Sequence, residues 1–292
     1  MPHHLFDVAI ELNRQDMKDA LISREDLRKL HPVFRGKYGD KIIDFGVKIS
    51  ALHVPNEIYN RSKHLTGPAF CKDVLDNLEI IRTIKNLEIL DNCKGSPFIT
   101  VSNHAYGHID GIAAIETVGS HVENYKMMVN VILGLIDTMA ENFITVNPMK
   151  YAEKNSITYA GIRESISHVR KGYPLGFFPA GAVSNMVLKN GKIVIEDREW
   201  QPAVLKIIQK VKVPVIPMHI SGRNSLSFYF SRIFGWKVRN LRLCHEMYNK
   251  KGKEIVITFG EPITPDVIEL FEDDTKSLGE FLKAKTYALG KK

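Results

Sequence analysis

The fold is decided by residues 97–111, which read PFITVSNHAYGHIDG. The apolar run at 98–101 predicts a short buried strand. The loop that follows carries histidines at 104 and 108 and an aspartate at 110. In α/β proteins, chemistry is placed in the loops at the carboxyl ends of the strands. The segment therefore predicts an α/β fold with a functional site at the end of this strand.

A histidine paired with a carboxylate forms a general base, because the carboxylate orients the imidazole and stabilises its protonated form. His104 and Asp110 are six positions apart, a spacing that does not align two side chains on one face of a helix. They meet only if the backbone turns between them, and Gly107 permits that turn. We therefore predict that His104 is a catalytic base and that Asp110 orients it. Asp110 can also cap the following helix.

Outward from this segment, short apolar runs alternate with helical patterns. Strands are predicted over 98–101, 125–131, 143–146, 175–178, 213–219 and 255–259, and helices over 73–85, 110–118, 133–140, 159–171, 200–211 and 276–289. This alternation indicates an α/β fold with a mixed, largely parallel sheet flanked by helices. Residues 1–75 look helical and rich in loops, with a helical fragment over 24–30 and mixed apolar spacing over 40–51. We therefore divide the chain into an N-terminal helical region, 1–75, and a larger domain, 76–292, that contains the site.

The composition is that of an ordinary globular protein of 292 residues, with 44% hydrophobic and 25% charged residues. The net charge of +7 and isoelectric point of about 9.1 favour acidic partners, such as an anionic membrane surface, a phosphate-bearing substrate, a carrier protein or nucleic acid. The three cysteines are scattered, which fits a reducing compartment and gives no metal-binding spacing. We expect neither a secretory signal nor a membrane span, so that work on a lipid would occur at the membrane surface.

Three further sequence blocks follow the first in order. Residues 177–184, FFPAGAVS, follow a predicted strand; the glycine lets the backbone approach a ligand, and the N–H groups can hold an anion or the oxygen of a tetrahedral intermediate. Residues 213–220, VPVIPMHI, form an apolar strand with two prolines, which is unusual for a central strand. Residues 255–263, IVITFGEPI, form a strand closed by a turn with glycine and proline.

Taken in order, the four blocks resemble the glycerolipid acyltransferase superfamily, the family of lysophosphatidic-acid acyltransferases, over roughly residues 75–265. The first motif of that family is Asn-His, four residues and Asp, whereas here Asn103 and His104 are followed by Asp110 after five. A longer, glycine-containing loop followed by Asp-Gly is similar to the hemolysin-like branch, which includes bacterial O-acyltransferases of ornithine lipids and other amino-acid lipids. Residues 213–220 match the fourth motif.

At two positions this chain lacks a residue that helps members of the family to bind glycerol phosphate. Ala180 stands where the family has the glutamate of Phe-Pro-Glu-Gly. Residues 143–146, FITV, stand where a second motif often ends in arginine, and that arginine is absent. The resemblance therefore implies an acceptor other than lysophosphatidic acid.

The resemblance implies an O-acyltransferase that moves a fatty acyl chain from a thioester, on acyl carrier protein (ACP) or coenzyme A, to the hydroxyl of a lyso-lipid, in particular a monoacylated amino-acid lipid. It implies no metal and no bound cofactor. We expect a cytoplasmic protein that is peripheral on the inner face of the cell membrane. Two alternatives stay open: a lysophosphatidic-acid acyltransferase of phospholipid synthesis, and a lipid-binding protein that keeps the fold without turnover.

The residues predicted to bind substrate lie in the same loops. They are Asn103, Gly107, Phe178, Pro179, Gly181, Ser184, Arg223 and Asn224. Arg223 is either the partner of an acceptor carboxylate or a solvated surface charge, and Ser184 either binds the head group or caps a turn. A metal-dependent hydrolase with His104, His108 and Asp110 as ligands is allowed by residue type, but no further ligand cluster supports it.

Residues 228–243, FYFSRIFGWKVRNLRL, mix aromatic and basic side chains. This composition is typical of a membrane-binding surface, and equally of a partly buried hairpin with a basic face. It can also bind nucleic acid, but no nucleic-acid-binding motif accompanies it, so we predict no such partner.

Overall fold

The computed structural model describes residues 32–50, 53–146, 156–189, 191–235 and 242–291, together with positions 24, 25, 28 and 239. Nine strands lie in this part of the chain: β1 Ile81–Lys85, β2 Ile99–Ser102, β3 Lys126–Asn130, β4 Phe143–Val146, β5 Leu175–Phe177, β6 Asn185–Lys189, β7 Lys192–Glu196, β8 Val215–Ile220 and β9 Glu254–Phe259. Seven of them form one sheet in the order β1-β9-β8-β2-β5-β3-β4, and β6 and β7 form a separate hairpin.

Helices connect and cover these strands. The α-helices are α1 Gly39–Ser50, α2 His53–Ser62, α3 Gly67–Asn77, α4 Glu88–Asp91, α5 His108–Gly119, α6 Ser156–Arg170, α7 Pro202–Val211, α8 Leu226–Phe230, α9 Leu243–Tyr248, α10 Pro265–Glu269 and α11 Thr275–Leu289. Short 3₁₀ helices lie at Pro32–Arg35, Val131–Leu135, Asp137–Asn142 and Ser231–Phe234. Within the described ranges, no helix is both long and apolar enough to cross a membrane.

Strand pairing in the large sheet is parallel at every neighbouring pair except β8 with β9, which is antiparallel. Ile99 of β2 lies beside Leu175 of β5 on one side and Val215 of β8 on the other. The carboxyl ends of these three parallel strands therefore meet at one edge of the sheet, where α/β proteins bind ligands. The predicted fold class, a mixed and largely parallel sheet flanked by helices, is confirmed.

Hydrophobic cores lie on both faces of the sheet. Neighbouring residues Val215 and Ile216 of β8 belong to different cores, because successive side chains of a strand point to opposite faces. On one face α3 and α5 supply Leu75 and Ala113, and on the other α7 supplies Leu205, all fully or almost fully buried. Burial on both faces explains why these strands are continuous apolar runs in the sequence.

The N-terminal region packs into the first of these cores. Ile58 and Tyr59 of α2 and Phe70 of α3 are buried there beside residues of the sheet. The helical character predicted for this region holds over 39–50, 53–62 and 67–77. The division of the chain at residue 75 stays a prediction, and most of the fragment predicted over 24–30 lies outside the described residues.

The helix predicted over 73–85 is wrong in its second half. α3 ends at Asn77, Glu79 takes a left-handed conformation with φ of 54°, and β1 begins at Ile81. Leu78 and Ile80, whose spacing suggested a helix, are buried in the connection between the two elements. The segment becomes a strand because it pairs with β9, with Ile81 beside Glu254, and this long-range pairing outweighs local periodicity. The helix predicted over 133–140 is likewise replaced by two 3₁₀ helices.

The aromatic and basic stretch at 228–243 is helical where the structure describes it. α8 and the 3₁₀ helix that follows it cover 226–234, so the alternative interpretation as a hairpin is wrong for this part. Phe228 is buried, whereas Phe230 and Ile233 are exposed. Arg239 is buried and donates a hydrogen bond of 3.0 Å from Nη2 to the carbonyl of Val183. Residues 236–238, which include Trp236, lie outside the described part.

Candidate active site

The candidate site lies in the loop between β2 and α5, at the carboxyl end of the central strand. Asn103, the first residue of the loop, is buried and joins it to β8. Its Nδ2 donates to the carbonyl of Ile220 at 2.9 Å, and its Oδ1 accepts from the N–H of Ile220 at 2.8 Å. The Asn103 side chain therefore holds the loop against the neighbouring strand, and the substrate contact predicted for it stays a prediction.

His104 and Asp110 meet in this loop. Nδ1 of His104 lies 2.8 Å from Oδ2 of Asp110, and Gly107, with φ of 104°, makes the turn between them. The same oxygen accepts the N–H groups of Tyr106 and Gly107, each at 2.8 Å. Asp110 is fully buried in the first turn of α5. Its carboxylate therefore contacts the histidine and also accepts the N–H of Gly107, the N-cap residue of α5. The helix begins two residues before the predicted start, so Asp110 satisfies the N-terminus from the third helical position and not as the N-cap itself.

The contact with Asp110 fixes the tautomer of His104. An ionised carboxylate only accepts hydrogen bonds, so the proton of the neutral imidazole lies on Nδ1. Nε2 carries the lone pair and has no hydrogen-bond partner among the described residues, and the side chain is 18% exposed. Phe178 stacks on the ring, with centroids 4.3 Å apart and planes 13° apart. An imidazole held in this way can accept a proton at Nε2 from a hydroxyl that enters the site.

The loop after β5 brings Phe178 to the histidine through a tight turn. Gly181 has φ of 59° and donates its N–H to the carbonyl of Phe178 at 2.9 Å. The carbonyl of Pro179 accepts the N–H of Gln201 at 2.9 Å. The positive φ favours glycine at position 181, and a side chain there would also displace the Gln201 amide, whose nitrogen would lie 1.9 Å from its Cβ. The Gly181 N–H is used within the turn, and the anion contact predicted here remains untested.

The two positions that depart from the resembled family present no charge. Ala180 is fully buried in the second core, and its carbonyl accepts a hydrogen bond of 2.6 Å from Nε of Arg198. Thr145 and Val146 lie in β4 at the edge of the sheet, separated from β2 by β5 and β3. Neither position therefore places a charged side chain of its own near His104.

A buried aspartate that the sequence did not indicate, Asp197, links the two loops. Its Oδ1 accepts the backbone N–H of His104 at 3.2 Å and the hydroxyl of Ser184 at 2.6 Å. Its Oδ2 accepts Nε1–H of Trp200 at 3.1 Å. The N–H of Ser184 in turn donates to the carbonyl of His104 at 2.8 Å. The backbone N–H and the carbonyl of His104 are thus both held by hydrogen bonds, and the Ser184 hydroxyl already has a partner within the protein in Asp197.

The segment after β8 completes the site. Asn224 is buried and donates from Nδ2 to the carbonyl of Tyr106 at 3.1 Å. Gly222, with φ of 104°, lies so close to Tyr106 that a side chain there would come within 1.6 Å of its hydroxyl. Between them, Arg223 is exposed and forms no ion pair with any residue that the structure describes. The structure therefore places next to the His104 loop a cation that has no ion-pair partner in the described part of the chain.

Comparison with known proteins gives the family. The sequence profile of a family described as Acyltransferase matches residues 48–292. The curated lyso-glycine lipid O-acyltransferase of Bacteroides thetaiotaomicron is 31% identical over 218 residues, which cover 71% of this chain and 75% of that protein. The protein of the same name from Phocaeicola vulgatus is 28% identical over 267 residues, 87% of this chain and 91% of that protein. The chain belongs to this acyltransferase family.

The acyltransferase also aligns with a solved structure. The 1-acyl-sn-glycerophosphate (LPA) acyltransferase PlsC from Thermotoga maritima is 16% identical, with a TM-score of 0.43, over 85% of this chain and 92% of that chain.

His108 of the acyltransferase is half-buried at the start of α5. Desolvation lowers the pKa of His108 below its usual value, and the nearby His104 lowers this pKa further, so the side chain is neutral at neutral pH. Within the part of the chain that the structure describes, no three or more His, Cys, Asp or Glu side chains are grouped so as to hold a metal ion. Substrate contact by His108 stays a prediction.

Replacing Asp197 by alanine is expected to destabilise the acyltransferase by about 2–4 kcal/mol. The change leaves the His104 N–H and the Trp200 indole N–H without an acceptor in a buried site, and it restricts the Ser184 hydroxyl to the His104 carbonyl at 3.0 Å. Urea unfolding of the purified variant measures this loss. Asp273→Ala, at an exposed position, is the matched control and should stay within about 0.5 kcal/mol of the wild type. Equal stability of the two variants would show that the Asp197 contacts contribute little.

Proposed function

We propose that the protein is an O-acyltransferase that moves a fatty acyl chain from a thioester, on ACP or coenzyme A, to the hydroxyl of a lyso-lipid. The observation that carries the proposal is the 2.8 Å contact between Nδ1 of His104 and Asp110, which leaves Nε2 as a base at the end of the central strand. Two relatives named lyso-glycine lipid O-acyltransferase support a lyso-lipid acceptor. The thioester is itself activated, so the proposed reaction needs neither a metal nor a bound cofactor.

In the proposed reaction Nε2 of His104 takes the proton of the acceptor hydroxyl as its oxygen attacks the thioester carbonyl. A carbon–oxygen bond forms, and the tetrahedral intermediate collapses with cleavage of the carbon–sulfur bond. The imidazolium then returns its proton to the departing thiolate, so the products are an ester and a free thiol. Asp110 holds the ring in position and stabilises the positive charge that His104 carries between these steps.

The acceptor in this proposal is a monoacylated amino-acid lipid. A phosphomonoester carries up to two negative charges and needs several cationic or N–H partners. One such cationic partner is missing, because positions 145 and 146 carry threonine and valine where the second motif of the resembled family often ends in arginine. A single carboxylate requires fewer partners, and Arg223 beside the His104 loop is suited to it, since its side chain is exposed and pairs with no carboxylate of the described residues.

The proposal includes attachment to the inner face of the cell membrane. We expect the purified protein to sediment with vesicles that contain anionic lipid and to be released by added salt. The net charge of +7 supplies the attraction, at about 1 kcal/mol for each Lys or Arg near the surface, and salt screens it. Sedimentation at several salt concentrations with neutral and anionic vesicles measures the effect. Equal binding to both kinds of vesicle would contradict an electrostatic contribution.

Lipid mass spectrometry of cells with and without the protein tests the proposed function. Cells that lack it should accumulate monoacylated amino-acid lipid and lose the diacylated form. Restoration by the wild-type protein and failure of restoration by His104→Ala would tie the change to the proposed base. An unchanged amino-acid lipid profile together with accumulation of lysophosphatidic acid would favour the phospholipid alternative.

A further inference from the structure

The β6–β7 hairpin has one face that is apolar along its whole length. Met186 pairs with Ile195 and Leu188 with Ile193, so these four side chains share a face of the two-stranded sheet. The inner pair packs against a small core, whereas Leu188 and Ile193 are 76% and 68% exposed. An isolated hairpin gains little stability from leaving such side chains in water. Exposed apolar surface of this kind marks a site of contact with a ligand, a membrane or another protein.

The end of the hairpin at the start of β6 is fixed to the candidate active site. Asn185, the first residue of β6, directly follows Ser184, whose N–H donates to the carbonyl of His104. Val183 packs with Phe228 in the core beneath the hairpin. Arg239 joins the two sides of this core, since its guanidinium bonds the side chain of Asn185 and lies 5.2 Å from the centre of the Phe228 ring. The hairpin is therefore positioned relative to the histidine.

A groove of about 310 Å³ runs between the hairpin and the segment after β8. Its lining residues are Met186, Ile193, Ile195, Gly222, Arg223 and Leu226. Gly222 packs against Tyr106 of the His104 loop, so this side of the groove is also fixed to the active site. Both walls of the groove are thus connected to the His104 loop, and one of them is the apolar face of the hairpin.

The chemistry of the groove matches one class of ligand. Arg223 is the charged residue among its lining residues, and the other side chains that line it are apolar. A guanidinium with no ion-pair partner among the described residues favours an anion, especially a carboxylate that it can bind with two hydrogen bonds. An apolar strip that leads away from this cation fits an acyl chain. A volume of this size is at the lower end for ligand sites, as expected for a single chain.

We propose that this groove binds the acceptor lipid, with the acceptor carboxylate on Arg223 and its acyl chain along Met186, Ile193, Ile195 and Leu226. The proposal rests on the proposed function for the identity of the lipid. Charge complementarity favours a lipid over a second protein as the occupant. The groove has one cation at Arg223 and an otherwise apolar lining, which matches a ligand with one carboxylate and one acyl chain. The exposed Leu188, which pairs with Ile193 on the same face, extends this apolar strip for a longer chain.

Photo-crosslinking tests the groove independently of turnover. The probe is an N-acyl glycine that carries a hydroxyl and a diazirine on its chain, and peptide mass spectrometry maps where it attaches. Attachment of the probe within 185–196 or at Leu226 supports the groove. If the probe attaches there but receives no acyl group, the groove stands and only the proposed function fails. Acyl transfer to the probe with attachment only elsewhere, or with no attachment, overturns the groove and leaves the function standing.

Kinetics with matched variants give a second readout. Arg223→Gln should raise KM for the carboxylate acceptor on the order of tenfold, and Ile193→Ser should raise it roughly three- to tenfold for long-chain acceptors. Lys210→Gln is the control for Arg223→Gln and removes an exposed charge that does not line the groove. Leu270→Ser is the control for Ile193→Ser and removes an exposed apolar side chain that does not line it either. Neither control should change KM. The neutral methyl ester of the acceptor should show no effect of Arg223→Gln. Equal KM values in the groove variants and the controls would contradict the proposal.

Discussion

Replacing His104 by alanine is expected to lower the rate of acyl transfer by roughly two to four orders of magnitude, because the change removes the group that takes the hydroxyl proton. The contact with Asp110 and the free Nε2 make this imidazole the base of the proposed reaction. The fold should survive, since His104 lies in a loop and is not part of either core. Acyl transfer assays on the purified variant, with circular dichroism to verify folding, measure both expectations.

His64→Ala provides the matched control for this variant. His64 is exposed and lies in the turn after α2, so its removal should leave the rate and the fold unchanged. A His104→Ala protein that is folded and transfers acyl groups at a near-normal rate would exclude the proposed mechanism.

Asp110→Asn is expected to reduce the rate by about two to four orders of magnitude as well. The amide oxygen can still accept the N–H groups of Tyr106 and Gly107, so α5 keeps its cap. The same oxygen can also accept Nδ1–H of His104, so the ring keeps its position and tautomer. The amide carries no charge, however, and cannot stabilise the imidazolium that forms when His104 takes the hydroxyl proton.

The comparison of Asp110→Asn with Asp91→Asn separates this effect from a general loss of negative charge. Asp91 is exposed and pairs with Lys94 on the surface, so its replacement should leave the rate unchanged. Both variants should unfold at nearly the wild-type urea concentration. A normal rate for folded Asp110→Asn would show that His104 does not depend on this carboxylate.

The central part of the fold could be predicted from the sequence because its strands are buried on both faces. The runs at 98–101, 143–146 and 255–259 lie within one or two residues of β2, β4 and β9. β1 was mistaken for helix because its pairing with β9 joins positions more than 170 residues apart, which no local pattern reveals. The β6–β7 hairpin is absent from the predicted strands although its local sequence indicates it, since residues 186–195 read MVLKNGKIVI, two β-favouring runs joined by the Asn-Gly pair that is typical of a tight hairpin turn.

The site could be predicted where its residues are close in sequence. His104, Gly107 and Asp110 share one loop after a recognisable strand, and the structure brings the histidine and the carboxylate together. Asp197 gave no such signal, because it is 93 positions from His104 and precedes a helix in an ordinary polar segment. Ser184 illustrates the same limit: its position beside the site was predicted, but its bond to Asp197 depends on the tertiary fold.

A side-by-side acyl transfer assay tests the proposed reaction most directly. The purified protein is given a labelled acyl thioester and either lysophosphatidic acid or a hydroxyl-bearing N-acyl amino acid, with His104→Ala in parallel. We predict clearly faster transfer to the N-acyl amino acid and no transfer above background by the variant. Faster transfer to lysophosphatidic acid would contradict the proposed acceptor, and equal transfer by His104→Ala would contradict the proposed base.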